Sequence, residues 1–170
     1  MSAARLILAL VVLLRLAELI HARRNTQALL RRGAMEQGGG HYPLFVLLHA
    51  SWLAALFIAV PRDAAIAWPW LAVFAALQAA RLWVILSLGP WWTTRVITLP
   101  GAPLIRRGPY RWLNHPNYAV VAAEIAVLPL VFGAWRIALL FSVLNAGLLA
   151  WRIRIEERAL ARRRRPGLAN

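Results

Sequence analysis

Five long apolar segments within a chain of 170 residues constrain this fold more than any other feature of the sequence. A transmembrane helix needs about 20 predominantly apolar residues, and residues 4–20, 43–60, 64–88, 117–132 and 135–151 approach that length. Hydrophobic residues make up 61% of the chain and charged residues 15%, whereas a soluble domain has about 45–50% and about 25%. The sequence therefore predicts an all-α integral membrane protein with about five transmembrane helices.

The distribution of arginine predicts the orientation of these helices. All 20 lysine-plus-arginine positions are arginine, against 6 acidic residues. Fifteen arginines lie in the link after the first span, the link after the third span and the tail: Arg23, Arg24, Arg31, Arg32, Arg95, Arg106, Arg107, Arg111, Arg152, Arg154, Arg158 and Arg162 to Arg165. The positive-inside rule places these segments in the cytoplasm, so we expect the N-terminus outside and the C-terminus inside.

The same arginines lie between apolar runs and do not form a basic face on a soluble module, so we expect no nucleic-acid partner. We interpret the run at residues 162–165 as an anchor for anionic membrane lipids.

Missing residue types exclude several classes of function. The chain has no cysteine, which excludes disulfides, thiolate zinc sites and a cysteine nucleophile. The four histidines are scattered, so no metal or haem site is expected, and no nucleotide-binding glycine fingerprint or Walker loop occurs. No internal repeat divides the chain. We predict one membrane domain, with three spans in residues 1–88, a functional half in residues 89–160 and a basic tail in residues 161–170.

The segment from residue 89 to 118 is too rich in proline, glycine and arginine for an ordinary connection, and a rigid, shaped loop is expected. It contains GPY at 108–110 and HPNY at 115–118. Because proline suits the first turn of a helix, His115 is predicted as the N-cap of the fourth span, where free amide groups can hold an anion. The alternative is a plain helix start with an aromatic interface belt made of Tyr110, Trp112 and Tyr118. Spacing leaves both interpretations open.

A second polar cluster follows the fifth span. Arg152 and Glu156 are four residues apart and project from one face of a helix, with Glu157 and Arg158 alongside. On its own this pattern is most simply a surface ion pair. The fourth and fifth spans meet at Gly133 and are predicted to run antiparallel, so the Arg152 end should lie beside the His115 end. The sequence thus predicts one cytoplasmic site built from both clusters.

Besides Arg5 and Arg136 at the ends of their segments, four charged residues fall within the predicted spans: Arg15, Glu18, Arg81 and Glu124. Such charges are costly in hydrocarbon unless they are paired or face an internal cavity. We expect a local pair of Arg15 with Glu18 and a pair of Arg81 with Glu124 between helices. The alternative is a polar wall of a ligand pocket.

The stretch RRGPYRWLNHPNY, followed by an apolar hairpin and then RIRIEERAL, resembles the C-terminal half of the isoprenylcysteine carboxyl methyltransferase family. Members of this family are integral membrane enzymes that use S-adenosylmethionine. The resemblance covers about residues 89–160. RLAELIHARRN and HYPLFVLLHASWL look like a bacterial branch of the same family, which implies a location in the bacterial inner membrane.

The resemblance implies a cofactor enclosed between the loop and the C-terminal helices, without a Rossmann domain. The positions that would bind S-adenosylmethionine are Leu104, Ile105, Tyr110, His115, Pro116, Asn117, Tyr118 and Glu156. Arg152 matches the arginine assigned to the substrate carboxylate, and the catalytic candidates are Arg152, Glu156 and His115. A family position that is often histidine is Ala102 here, which puts that contact in doubt.

The sequence leaves the chemical class of the methyl acceptor open. A carboxylate of a lipophilic acceptor reached from the bilayer is ionised at neutral pH, given a reference pKa of about 3.5. Arg152 could orient it, and no general base is needed. A phenolic or enolic lipid such as an alkylpyrone, with a pKa nearer 10, needs a base, for which His115, Glu156 and Glu157 are candidates. A non-enzymatic membrane scaffold is the third interpretation. The oligomeric state is not indicated.

Overall fold

The structure, a computed structural model, describes residues 2–37, 39–102 and 105–163, with residues 41 and 158–163 described by their backbone alone. Five helices form the described fold: α1 (Ala3–Arg31), α2 (Tyr42–Ala59), α3 (Trp68–Leu88), α4 (Pro116–Val131) and α5 (Trp135–Arg163). Two short strands, β1 (Met35–Glu36) and β2 (Ile97–Thr98), pair antiparallel, with Met35 opposite Thr98. The predicted helical fold class is confirmed.

Three segments of the described chain are long and apolar enough to cross a membrane: Tyr42–Ala59, Trp68–Trp91 and Trp135–Glu157. α4 is apolar but has only 16 residues. α1 is long, but its apolar part carries Arg5, Arg15 and Glu18. Helices therefore lie at all five predicted positions, and length and composition by themselves qualify three of them as spans.

Three helices differ in extent from the apolar segments of the sequence. α1 continues 11 residues past position 20 to Arg31, and α5 continues past position 151 to Arg163. α1 continues because Ala22, Thr26 and Leu29 are buried on one face of the helix. Hydropathy marks where the apolar stretch ends, which is a different point from where the helix ends. α3 begins at Trp68 and not at position 64, with a proline in its first turn.

Contacts between helix ends give the direction of each helix. Arg5 near the start of α1 donates to the carbonyls of Phe57 and Val60 at the end of α2, at 3.1 Å for Val60. The Ala67 amide before α3 donates to the Val131 carbonyl at the end of α4 at 2.9 Å. α4 and α5 meet at Gly133, which has a φ of 69°. The links that carry the arginine-rich segments therefore share one end of the bundle.

A network of charged side chains joins α1, α3 and α4 inside the bundle. Glu124 of α4 lies 2.8 Å from Arg81 of α3 and 3.3 Å from Arg15 of α1. Glu18 of α1 accepts from Arg81 at 2.6 Å and lies 3.1 Å from Arg15. Gln78 donates to Glu124 at 2.7 Å. Both expected pairs are present, within one network of two arginines and two glutamates.

The structure supports a structural role for this network. Arg15 and Glu124 line a cavity of only about 10 Å³, which has room for about one water molecule. A ligand pocket is far larger. The buried charges therefore pair helices, and the alternative of a ligand-pocket wall is not supported at this position.

α4 is shorter than a helix that crosses the hydrocarbon core by itself. At about 1.5 Å per residue, its 16 residues extend about 24 Å, less than the thickness of about 30 Å of a hydrocarbon core. The segment between α3 and α4 lies at the same end of the bundle as His115.

Replacing Glu124 with glutamine should destabilise the fold strongly, because Arg15 and Arg81 would then share the single carboxylate of Glu18. Breaking a buried ion pair costs about 3–5 kcal/mol. We expect a loss of about 3 kcal/mol in the free energy of unfolding, measured by circular dichroism during SDS titration of protein in mixed micelles.

The matched control is Glu36→Gln. Glu36 pairs with Arg95 at 2.7 Å, and their side chains are 23% and 41% exposed. The expected loss there is below about 1 kcal/mol. Equal losses in the two variants would contradict a structural role for the buried network.

Candidate functional site

A cavity of about 720 Å³ opens at the arginine-rich end of the bundle. Its walls come from the segment after α3, the first turn of α4 and the last described turns of α5. The lining residues are Leu88, Trp91, Trp92, Thr93, Arg95, Val96, Ile97, Thr98, Ile105, Arg106, Tyr110, Leu113, Asn114, His115, Asn117, Tyr118, Arg152, Glu156 and Glu157. Both sequence clusters thus contribute to a single cavity.

Three side chains form a hydrogen-bonded chain across the α4–α5 contact. The Tyr118 hydroxyl donates to Glu156 Oε2 at 2.6 Å and accepts from Arg152 Nε at 2.9 Å. Tyr118 comes from the first turn of α4, while the other two residues lie one turn apart on α5. The Tyr118 hydroxyl therefore hydrogen-bonds to both the Arg152 guanidinium and the Glu156 carboxylate, which fixes the distance between these two charged groups.

Arg152 is almost fully buried, with 7% of its surface exposed. Its guanidinium lies between the rings of Phe45 and Tyr118, 5.1 and 5.4 Å from their centroids. Nη2 donates to the Thr94 carbonyl at 2.7 Å. Arg152 therefore joins α5 to α2, to α4 and to the segment after α3, which fixes the orientation of its remaining donors.

His115 is the N-cap of α4, as predicted, with Pro116 in the first turn. Its ring stacks on that of Tyr118 at 5.3 Å, and its Nδ1 lies 3.6 Å from Glu156 Oε2. The side-chain carbonyl oxygen of Asn117 is buried and has no hydrogen-bond partner among the described residues. The start of α4 thus places an imidazole beside a carboxylate and leaves an unpaired acceptor.

Tyr110 enters the cavity from a 3₁₀ turn at Gly108–Arg111. Burial, and secondarily the negative charge of Glu156, raise the pKa of Tyr110 above its usual value. The phenol therefore stays neutral at physiological pH. Tyr110 and Tyr118 both turn inward, so of the predicted aromatic belt only Trp112 is exposed.

The predicted cofactor positions are distributed as follows. Ile105, Tyr110, His115, Asn117, Tyr118 and Glu156 line the cavity, together with Arg152. Pro116 is buried in the first turn of α4 and is not part of the lining. Leu104 lies outside the described residues, as do the side chains of Arg162 to Arg165. Their functional roles stay predictions.

Sequence reasoning missed the wall formed by residues 91–98 and its attachment to the N-terminal third. The Asn25 side-chain amide donates to the carbonyls of Gly89 and Trp92 at 3.1 and 2.8 Å. The ring of His21 stacks on Trp92 at 5.8 Å. Strand β1 pairs with β2 beside them. We call the hydrogen bonds from Asn25 to Gly89 and Trp92 the clamp. Its one weak signal in the sequence was Asn25 itself, a polar residue in a helix that continues beyond its apolar stretch.

Comparison with known proteins identifies the relationship. A model of the isoprenylcysteine carboxyl methyltransferase (ICMT) family matches residues 70–162, more than half of the chain. The chain belongs to this family. The predicted resemblance is confirmed, and the match begins within α3, earlier than the predicted residue 89.

Two bacterial relatives match the chain along most of its length. The uncharacterized protein YpbQ of Bacillus subtilis (strain 168) is 39% identical over 160 residues, which cover 91% of this chain and 95% of that protein. An uncharacterized protein of Haemophilus influenzae is 27% identical over 143 residues, or 81% of this chain and 83% of that protein. No solved structure matches the chain.

Replacing Gly108 with alanine should displace the turn that carries Tyr110. Gly108 has a φ of 56°, and an added Cβ would overlap the Ser87 side chain on α3. Strain at positive φ costs about 1–2 kcal/mol, and the steric overlap adds about 1–3 kcal/mol. We expect a total loss of about 3 kcal/mol in SDS titration.

Gly133→Ala separates the two causes. Gly133 has a φ of 69°, and an added Cβ would meet no atom within 4 Å. Only the backbone strain of about 1–2 kcal/mol is expected there. If both glycine variants lose the same stability, the close packing of Gly108 against α3 has no energetic consequence.

Proposed function

We propose that this protein is an S-adenosylmethionine-dependent O-methyltransferase of the membrane that methylates a carboxylate of a lipophilic acceptor. Membership of a methyltransferase family supports the reaction class. The observation that carries the assignment of the site is the chain of Arg152, Tyr118 and Glu156 within the large cavity. It combines a cation for an acceptor carboxylate with an anion for a cationic cofactor.

The cavity has the size and chemistry that S-adenosylmethionine requires. Its volume of about 720 Å³ is within the range of about 300–1,000 Å³ for small-molecule sites. Glu156 would hold the cationic end, and the unpaired oxygen of Asn117 is an acceptor for an amino group. The N-terminus of α4 would hold a carboxylate, while Ile105 and Tyr110 would pack against the adenosine.

When bound, S-adenosylmethionine would supply a methyl group activated by a positively charged sulfur; the acceptor's carboxylate oxygen would attack the methyl carbon, and the neutral thioether would leave. No proton is transferred. The contribution of the chain is alignment, which can lower such a barrier by about 7–11 kcal/mol when geometry is optimal. Arg152 would bind the acceptor carboxylate, and the rings of Phe45 and Tyr118 hold its guanidinium in place. Glu156 would fix the cofactor.

A hydroxyl acceptor is the second candidate, and one observation favours it. His115 Nδ1 lies 3.6 Å from Glu156 Oε2, slightly beyond hydrogen-bond distance, so the two groups are neighbours that could act together as a base during catalysis. Such a pair would remove the proton of a phenolic or enolic lipid during methyl transfer. A carboxylate acceptor has no use for this base. The family relationship gives the non-enzymatic scaffold no support.

We further propose that the site faces the cytoplasm in the bacterial inner membrane. The structure has the arginine-rich links and the cavity at the same end of the bundle. Arginine-rich links stay on the cytoplasmic side during insertion. Both relatives described above are bacterial proteins. The N-terminus would then lie outside, and the acceptor would enter from the bilayer.

Calorimetric titration of the detergent-purified protein with S-adenosylmethionine tests the cofactor assignment. Glu156→Gln should weaken binding about tenfold or more, because a hydrogen bond to a charged group contributes about 1.5–3 kcal/mol. Glu157→Gln is the matched control on the same cavity wall and should change the affinity less than threefold. Saturable binding that both variants retain would remove Glu156 from the site, and no binding by the folded wild type would overturn the function.

The pH dependence of methyl transfer distinguishes the acceptors. With a prenylcysteine acceptor, kcat/KM should be nearly flat between pH 6 and 9, because the carboxylate is already ionised. Arg152→Gln should lower it at least tenfold while cofactor affinity changes less. With a phenolic lipid, kcat/KM should rise with pH as the acceptor hydroxyl approaches its pKa of about 10, and His115→Gln should lower kcat/KM at neutral pH. Transfer to the phenolic lipid alone would assign the hydroxyl class.

A further inference from the structure

The loop segment of residues 106–113 carries a cluster of exposed apolar and basic side chains beside the cavity. Trp112 is 71% exposed and Leu113 54% exposed. Arg106 and Arg111 are also exposed, and neither has an acidic partner within the described part of the chain. We call residues 106–113 the wedge. Neither the cofactor nor the acceptor assignment uses its outer face.

The wedge packs beside the last turns of α3 although it belongs to a loop. The rings of Trp112 and Trp83 are 6.1 Å apart, and Gly108 lies directly against Ser87 of α3. Trp83 is five residues before the end of α3, about 7.5 Å along the helix axis. Trp112 is therefore level with the last turns of a membrane-spanning helix.

The apolar side of the wedge continues a surface that already faces lipid. Leu82 and Leu86 of α3, which precede and follow Trp83 in the sequence, are also exposed. Trp112 and Leu113 extend this surface away from the helix. Tryptophan is favoured at headgroup depth, where its ring is in apolar surroundings and its N–H is near water. The wedge is thus continuous with the lipid-facing side of the bundle.

The charge of the wedge is complementary to an anionic membrane surface. Between Asp63 and Glu124 the sequence contains no acidic residue. Arg107 Nε donates to the Ser87 carbonyl at 2.6 Å. The Arg111 guanidinium lies over the Trp112 ring, 5.8 Å from its centroid. Arginine binds phosphate through a planar fork of donors. The wedge thus carries the exposed side chains of Arg106 and Arg111 on the same short segment as Trp112 and Leu113.

We propose that the wedge is a binding site for anionic phospholipid. Trp112 and Leu113 insert between acyl chains, while Arg106 and Arg111 bind headgroup phosphates. Arg106 and Leu113 also line the cavity, so the bound lipid lies at its edge. The site is a lipid surface and does not bind free phosphate.

The absence of cysteine allows a direct measurement of depth. A nitroxide label on Leu113→Cys, in the full chain reconstituted in nanodiscs, should show high collision with oxygen and low collision with a water-soluble nickel chelate. The control is a label on Met35→Cys, an exposed apolar residue of β1 at the same end of the bundle. Equal access of the nickel chelate to both labels would overturn the proposal.

Lipid selectivity tests the arginines. Wild-type protein should bind spin-labelled phosphatidylglycerol in preference to phosphatidylcholine. The double variant Arg106→Gln, Arg111→Gln should weaken that preference about fivefold per arginine. Arg23→Gln, Arg24→Gln removes the same charge from α1 and should leave most of the preference intact. Circular dichroism checks that each variant is folded.

Three outcomes would contradict the proposal. Retained selectivity in the wedge variant means that the wedge does not bind anionic lipid. An equal loss in both double variants means that only total charge matters. Displacement of phosphatidylglycerol by about 10 mM inorganic phosphate, a concentration at which salt screening is still weak, means that the site binds free anions.

Discussion

The charge network of Arg15, Glu18, Arg81 and Glu124 is the interaction on which the rest of the structure depends. Helices in a bilayer gain little from apolar contact with each other, because lipid is as apolar as leucine. Buried charges provide a directional alternative, since each one must meet its partner or lose several kcal/mol. Two arginines and two glutamates cancel in charge. They satisfy each other only when α1, α3 and α4 have one relative position.

That position determines the site. Glu124 lies in the middle of α4, about two turns beyond His115 and Tyr118, so the network sets the position of the start of α4 along the bundle. Arg152 at the site is almost fully buried beside the rings of Phe45 and Tyr118. Electrostatic interactions are stronger in such surroundings than in water. Arg152 can therefore orient a charged group with less competition from solvent than an exposed arginine.

Local and pairwise signals in the sequence predicted much of this arrangement. Pro116 predicted the helix start at His115, and Gly133 predicted the hairpin that brings His115 near Arg152. The cost of charge in hydrocarbon predicted the Arg81–Glu124 pair. Other features left no such signal. Two-residue strands have no periodicity to detect, and the contacts of Asn25 and Phe45 with the site span dozens of residues along the chain.

The inward turn of Tyr110 and Tyr118 was left open by their spacing and was implied only by the family resemblance. Aromatic residues near a span end are common at the membrane interface, so the pattern alone does not separate a belt from a cavity wall. Hydrogen-bond partners decide between the two locations. The Tyr118 hydroxyl lies in the cavity because it hydrogen-bonds to both Arg152 and Glu156. Trp112 has no comparable hydrogen bond among the described contacts and stays at the surface.

The hydrogen bonds from Asn25 to the carbonyls of Gly89 and Trp92 limit which segments can be exchanged between relatives without disturbing the cavity. The family match begins at residue 70, which suggests a cassette that could be transplanted whole. One wall of the cavity, however, is fastened by a helix and a strand from the first 41 residues. A chimera joined at residue 70 would keep the reactive groups of this chain, but the position of that wall would depend on how well the relative's first helix replaces the contacts of His21 and Asn25.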